Sequence, residues 1–368
     1  MLFFCSLFHT FNRQCSSYYL LLTGYNLNAM NNLAPAVARK TSESNRLWKS
    51  VFRLTFITVF LSLTMTACGT QNGMTKSDAI SGKKVFINSE NQDTRVRVVV
   101  IHHTSEDFAG SLNILTKDSS RPVSSHYLIP EPMDPSYGED KLQLYQLVPE
   151  EARAWHAGGS YWDGKTALND MSIGIEIVNQ TYCRNADSKV APAEPELADS
   201  RICFYPDFAE PQIVMLTDLL KGILERHGAV SPSNIVGHSD IAPQRKIDPG
   251  PRFPWQRLYK LGYGAWYDDE TVVKYWQQFR LEMPSLMTLQ TALHEYGYGF
   301  DLTGENDEPY KNVVRAFQLH FVPHKVTRQF DAESAAILFA LLEKYHPERL
   351  EKLMLETIGV LNTDPATN

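Results

Sequence analysis

The chain has 368 residues, of which 43% are hydrophobic and 21% charged, the balance of a globular protein able to build a sizeable core. Length alone sets an expectation of two domains plus any processed segment. The formal net charge of -7 argues against a nucleic-acid binder, which carries a basic stripe, and composition assigns no function beyond that.

In chain order, residues 1–30 form a broken apolar stretch with Asn12, Arg13 and Gln14 in its middle, ahead of a second, complete apolar segment. A start at Met30 explains that arrangement most simply. The second segment, residues 54–67 (LTFITVFLSLTMTA), follows Arg46, Lys49 and Arg53 and stops at Cys68. A basic region, a short apolar run and small residues make a signal-peptide layout. The run falls short of the roughly 20 apolar residues that a spanning helix needs, so residues 1–67 are expected to be a signal region. The ending Met-Thr-Ala-Cys resembles a bacterial lipoprotein signal, with Cys68 the lipidated first residue of the mature chain. An ordinary cleaved signal peptide with a coincidental cysteine is the alternative.

The chain has five cysteines, and no two show the C-x-x-C spacing of a zinc knuckle or redox motif. With Cys68 as the mature terminus, Cys183 and Cys203 remain. An oxidising envelope compartment would let them pair, and closing that loop would stabilise the fold by roughly 3 kcal/mol. Two reduced thiols are the other reading.

Residues 68–92 are polar and rich in Gly, Ser, Asn and Lys, as expected of a tether. Residues 95–101 (RVRVVVI) pass from alternation to a continuous β-branched run, the pattern of a strand buried on both faces. His102 and His103 stand at its carboxyl end, where open α/β sheets place their ligands. Strand side chains alternate, so one of the two faces any given site. A short helix is expected over residues 111–117, and strands over 122–129 (PVSSHYLI), 142–148 (LQLYQLV) and 172–178 (SIGIEIV). Between the last two lie a turn, AWHAGG at 154–159, and a polar loop at 162–170. Glu176 sits among isoleucines in the last of these strands. A carboxylate there needs a cation or donors nearby, so it is either half of a structural ion pair or a catalytic group in a cleft.

Residues 210–228 show the clearest helical stripe, with Ile213, Leu216, Leu219, Leu220, Ile223 and Leu224 on one face. Pro211 stands near its start and Gly228 past its end. His227 in the last turn is expected to be a surface residue complementing the helix dipole. A short strand at 234–236 then leads into residues 237–255, GHSDIAPQRKIDPGPRFPW. Pro243, Pro249, Pro251 and Pro254 fix φ and remove backbone donors, which predicts a stiffened loop without helix. A preset loop carrying His238, Lys246 and Asp248 suits a metal site. Catalytic zinc takes three N, O or S ligands and leaves room for water, so a third ligand and an acid–base group must come from elsewhere. Beyond an aromatic segment at 258–279, helical periodicity recurs over 285–298, 309–321 and 331–345, with a boundary near Met283.

VVIHHTS, VSSHYLI, AWHAGG, NDMSIGIEI and GHSDIAPQRKIDPG occur here in that order. Residues 95–262 thereby resemble the zinc-dependent N-acetylmuramoyl-L-alanine amidases of the AmpD/AmiD type. LQTALHEYGY, AFQLHF and FDAES resemble a peptidoglycan-binding domain, and the lipoprotein signal resembles that of the outer-membrane AmiD branch. The resemblance implies an α/β fold, a mixed central β-sheet flanked by helices as in peptidoglycan-recognition proteins, plus a small C-terminal three-helix domain. The expected organisation is a zinc amidase domain at 93–265, a linker at 266–282, the peptidoglycan-binding domain at 283–347 and a tail at 348–368.

Carried over residue by residue, the resemblance implies that His102, His238 and Asp248 bind Zn2+. Glu176 would be the general base and Lys246 the stabiliser of the transition state. His126, Tyr127, Trp155 and His156 are expected to line the groove for sugar and stem peptide. The implied partners are peptidoglycan or muropeptides and, through Cys68, the periplasmic face of the outer membrane, with the protein a monomer that binds no nucleic acid. A non-catalytic recognition protein on the same fold is disfavoured by the complete His/His/Asp set, and a phage-type endolysin by the lipid anchor.

Overall fold

A computed structural model of the chain describes residues 85–185 and 201–363. The expected signal region and Cys68 lie outside the described residues. From Asn88 onward the chain forms one compact unit. Among the described residues no helix is long and apolar enough to cross a membrane.

Strand β1 (Val98–His103) is buried at every position, which a run of β-branched residues achieves in the interior of a covered parallel sheet. It pairs in parallel with β6 (Ser172–Ile177) on one side and β9 (Ile235–Gly237) on the other. Strand β2 (Tyr127–Ile129) extends the parallel sheet beyond β6, and β3 (Tyr145–Gln146) ends it antiparallel. The order is β3-β2-β6-β1-β9, the mixed sheet that the resemblance implies.

Two strands are shorter than their sequence patterns. Ahead of β2, the Ser124 amide leaves the ladder and donates to the Trp155 carbonyl at 3.2 Å. Past β3, the Leu147 and Val148 amides both turn to the His126 carbonyl, which stops the pairing. The polar loop expected at 162–170 instead contains a hairpin, β4 (Tyr161–Trp162) with β5 (Lys165–Thr166), and a 3-10 turn at Leu168–Asp170. Asp163 and Gly164 take φ of 48° and 76°, and two left-handed residues in succession are what a tight two-residue hairpin turn requires. A further hairpin, β7 (Tyr182–Asn185) with β8 (Arg201–Phe204), sets Cys183 directly opposite Cys203.

Helix α1 (Phe108–Thr116) starts earlier than its apolar pattern because the Asp107 carboxylate accepts from the Gly110 amide at 2.7 Å. Helix α2 (Glu210–Arg226) follows its stripe. His227, expected on the surface, turns inward to Glu150 Oε2 at 2.8 Å, because a buried carboxylate needs the donor. The proline-rich segment opens on one helical turn, α3 (His238–Ile241), where no helix was expected. The turn closes ahead of Pro243, so it loses no hydrogen bond to proline.

Helices α4 (Trp255–Lys260) and α5 (Asp269–Phe279) occupy the aromatic segment, followed by α6 (Leu286–Tyr296), α7 (Glu308–Phe321), α8 (Ala332–Tyr345) and α9 (Pro347–Thr363). Val99, Ile173 and Ile235 of the sheet, Ile213 and Leu220 of α2, and Phe317 and Leu338 of α7 and α8 belong to one continuous core. A smaller cluster, Phe108, Leu115, Leu128, Tyr137 and Val178, forms with α1. Leu128 joins that cluster while Tyr127 and Ile129 join the main core, as side-chain alternation along a strand dictates.

Candidate metal centre

The sheet register assembles the site. His102 on β1 is directly opposite Glu176 on β6, and registered residues of parallel strands share a face. His238 opens α3 immediately after β9. The segment beyond α3 folds back so that the Ser239 amide donates to the Asp248 carbonyl at 2.8 Å. Four strongly polar side chains, His102, Glu176, His238 and Asp248, thus converge at the carboxyl ends of neighbouring parallel strands.

His102 Nδ1 lies 2.9 Å from His238 Nδ1 and 3.2 Å from Asp248 Oδ2, and His238 Nδ1 lies 3.2 Å from the same oxygen. All three residues are buried. On its other side, His102 Nε2 is 3.0 Å from His156 Nδ1. His156 Nε2 is 3.1 Å from Ser172 Oγ, which donates to the Leu168 carbonyl at 2.6 Å. This chain is satisfied when each imidazole carries its proton on Nε2, which leaves the His102 Nδ1 lone pair facing His238 and Asp248. A buried carboxylate and imidazole lone pairs crowded this closely call for a cation among them. Tetrahedral zinc with bonds of about 2.0–2.1 Å would set its ligand atoms about 3.3 Å apart, close to the separations found. The three residues fit a zinc ion.

Protonation states agree. Burial pushes the His238 imidazole down to about 4, so it is neutral at pH 7. Burial also pushes the Glu176 carboxyl up, with Asp248 adding to it and His102 and Lys246 opposing. Glu176 Oε1 stands 3.9 Å from His102 Nδ1, and its Oε2 is buried with no hydrogen-bond partner. A carboxylate held this way is suited to taking and returning a proton.

These groups open into a cleft of about 410 Å³ lined by His102, Glu176, His238, Lys246, Asp248 and Trp155, among others. A larger groove of about 820 Å³ lies between Leu142, Leu144 and the face of α2 bearing Val214 and Met215. Among the described residues no group of metal-ligating side chains converges there, so the chemistry belongs to the smaller cleft. Trp155 is half exposed on the cleft wall and His156, though buried, also borders the cleft, whereas His126 and Tyr127 are buried away from it. His126 Nδ1 accepts the Gly174 amide at 3.0 Å, and the Tyr127 hydroxyl donates to Glu150 at 2.7 Å. Those two residues hold the fold beneath the site, and His156 holds the His102 ring.

Ser172 and Gly174 do not stand out in the sequence alone. They share one face of β6 with Glu176, while Ile173, Ile175 and Ile177 enter the core. The small-and-polar alternation in SIGIEI was the available signal. Arg245 was also missed; it donates to the Gly159 carbonyl at 2.9 Å and ties the AWHAGG turn to the ligand segment.

Residues 92–251 match the family described as N-acetylmuramoyl-L-alanine amidase. The chain is 42% identical over 254 residues to N-acetylmuramoyl-L-alanine amidase AmiD of Escherichia coli (strain K12), covering 68% of this chain and 84% of that one. The crystal structure of AmpDh3 from Pseudomonas aeruginosa in complex with anhydromuramic pentapeptide is similar at a TM-score of 0.63 and 42% identity, over 74% of this chain and 99% of that one. AmiD from E. coli, in complex with anhydro-N-acetylmuramic acid-L-Ala-D-gamma-Glu-L-Lys, is similar at a TM-score of 0.59 and 39% identity, over 70% of this chain and 93% of that one.

Proposed function

This chain belongs to the N-acetylmuramoyl-L-alanine amidase family, and on that premise we propose a zinc hydrolase that cuts the amide between N-acetylmuramic acid and L-alanine of the peptidoglycan stem peptide. The observation that carries the zinc reading is the convergence of His102 Nδ1, His238 Nδ1 and Asp248 Oδ2, no two more than 3.2 Å apart, beside the unpartnered Glu176 Oε2. A zinc ion held by those residues would supply a Lewis acid and a more acidic water at neutral pH.

The chain's own groups supply the rest. Glu176 takes a proton from the attacking water and delivers it to the departing L-alanine amine. Lys246, half-buried on the cleft wall, places its ammonium beside the oxyanion that forms at the carbonyl. Trp155 offers an aromatic face to the sugar or stem peptide. Muropeptides carrying anhydro-muramic acid fit the reading, because AmpDh3 and AmiD have been seen with such ligands. The helices from α6 onward favour polymeric wall as well, through their likeness to peptidoglycan-binding domains, and the activity would serve wall turnover and recycling.

Digestion of purified sacculi followed by mass spectrometry of the products tests bond and substrate together. Free stem peptides beginning with L-alanine are expected from the wild type. His238→Ala should retain neither zinc nor activity, and Glu176→Gln should retain zinc but lose turnover by about 10²–10⁴-fold. A fully active metal-free enzyme would refute the mechanism.

We also propose that Cys68 carries a lipid anchor that holds the mature protein at the periplasmic face of the outer membrane. The support is the basic–apolar–small layout of residues 46–68. Cys68→Ser should move the protein from the membrane to the soluble fraction, and unchanged fractionation would count against the anchor. Cys183 and Cys203 would pair in that compartment. Directly opposite residues of antiparallel strands have Cα atoms about 4.5–5.5 Å apart, inside the span of a disulfide.

A further inference from the structure

Two of the three metal ligands, His238 and Asp248, lie on one segment, and that segment is gripped by the C-terminal helices. Asp240, two residues after His238, is completely buried. Its Oδ2 accepts the Gly237 amide at 2.7 Å and lies 2.8 Å from His320 Nδ1, and its Oδ1 accepts the Tyr298 hydroxyl at 2.8 Å. Tyr298 follows α6 and His320 belongs to α7. The His320 ring is itself fixed by stacking on Trp255 at 3.8 Å. Farther along the segment, Arg315 donates to the Pro243 carbonyl at 3.0 Å.

A carboxylate in a dry interior is tenable only with several donors around it. Two of the three here come from residues distant in sequence. The third, the Gly237 amide, fixes the backbone on the amino side of His238, while Asp240 itself fixes the carboxyl side. The carboxylate therefore spans the ligand and sets the direction in which its imidazole points. Gly237 tightens the arrangement, since a β-carbon there would meet Pro249 Cδ at 2.8 Å, next to Asp248.

We infer that Tyr298 and His320 are positioning residues for the metal centre: through Asp240, the C-terminal helices hold His238 in its ligating orientation. This gives the helical segment a task separate from any contact with the cell wall, and it rests on the reading of His102, His238 and Asp248 as a zinc site. Partners that orient a metal ligand from behind typically govern 10–100-fold in metal affinity, although they never touch the ion.

The test uses the full chain. Zinc affinity is measured by competition with a chromophoric chelator, and ligand geometry by the visible absorption of the cobalt(II)-substituted protein. The variants are Tyr298→Phe, which removes one hydroxyl from an otherwise unchanged ring, His320→Leu, and His320→Asn, which keeps a donor near the Nδ1 position. Tyr298→Phe should weaken zinc binding about 10-fold and His320→Leu up to about 100-fold, with altered cobalt bands, while His320→Asn stays within about threefold of wild type. Unchanged affinity and spectrum in Tyr298→Phe and His320→Leu would overturn the inference, even where their thermal midpoints fall, since the contacts would then serve stability alone. A wild-type chain that binds neither metal would overturn the zinc reading first and this inference with it.

Discussion

A β-carbon built on Gly174 would stand 2.5 Å from the His156 ring, closer than any real contact, and the obstruction is a whole imidazole wedged between His102 and Ser172. Gly174→Ala must therefore push His156 off His102 Nε2. We expect zinc affinity to fall about 10–100-fold with the sheet intact, so chelator competition should register the change while far-ultraviolet circular dichroism does not. Equal affinity would mean that His156 does not orient the ligand. At this scale the sequence was most informative where a side chain acts alone: His102, His238 and Asp248, the ligand set that the family resemblance implied, do converge in space. It was least informative where a residue acts by being small, as at Gly174, or by lying under another, as His126 and Tyr127 do. Neither property shows until the His156 ring and the Glu150 carboxylate are placed in the fold.

Between elements, the Glu150 carboxylate joins the sheet to the end of α2. It accepts from Tyr127 of β2 at 2.7 Å and from Arg226 at 2.7 and 3.0 Å, and stands 2.8 Å from His227 Nε2. Burial alone would push this carboxyl up, but the hydrogen bonds from Arg226, Tyr127 and His227 outweigh burial and hold it at about 2. A carboxyl depressed in the folded state stabilises above its unfolded value, and that contribution disappears as pH falls through the folded value. Wild type should exceed Glu150→Gln by about 2 kcal/mol at neutral pH, allowing for solvent screening at the half-exposed Arg226. The gap should close between about pH 4.5 and pH 2, as read from urea midpoints along a pH series; a gap of constant size would show that the carboxylate is not the linkage. The elements themselves were readable wherever periodicity was long, as in α2 and β1. The hairpin at Tyr161–Thr166 was missed although Asp163-Gly164 is a strong turn signal, because two-residue strands give no alternation to read. Helix α5 was hidden because its stripe is carried by Tyr275 and Phe279 among polar residues.

For the whole molecule, the decisive fact is that Asn88 onward is one unit with one main core. Composition suggested an amidase domain and a helical domain meeting near Met283, since sequence periodicity reveals the face of a helix but not what covers it. Trp162 of the β4–β5 hairpin packs edge-on against Tyr296 and Tyr298, with ring centroids 6.1 and 5.1 Å apart. Arg349 of α9 reaches Asp163 at 2.8 Å. Each buried aromatic of this kind contributes roughly 1.5–3 kcal/mol, and Asp240 would keep one donor of three if the helices left. Neither part can then unfold without exposing the other's apolar surface and stranding a buried carboxylate. Calorimetry of the chain from Asn88 should accordingly show a single transition whose van't Hoff and calorimetric enthalpies agree, with tryptophan fluorescence and helical circular dichroism changing together. Two separated transitions, the helical signal melting while the metal site persists, would show that the amidase fold stands without the helices. The same result would remove the mechanical basis for Tyr298 and His320 steering the metal ligand.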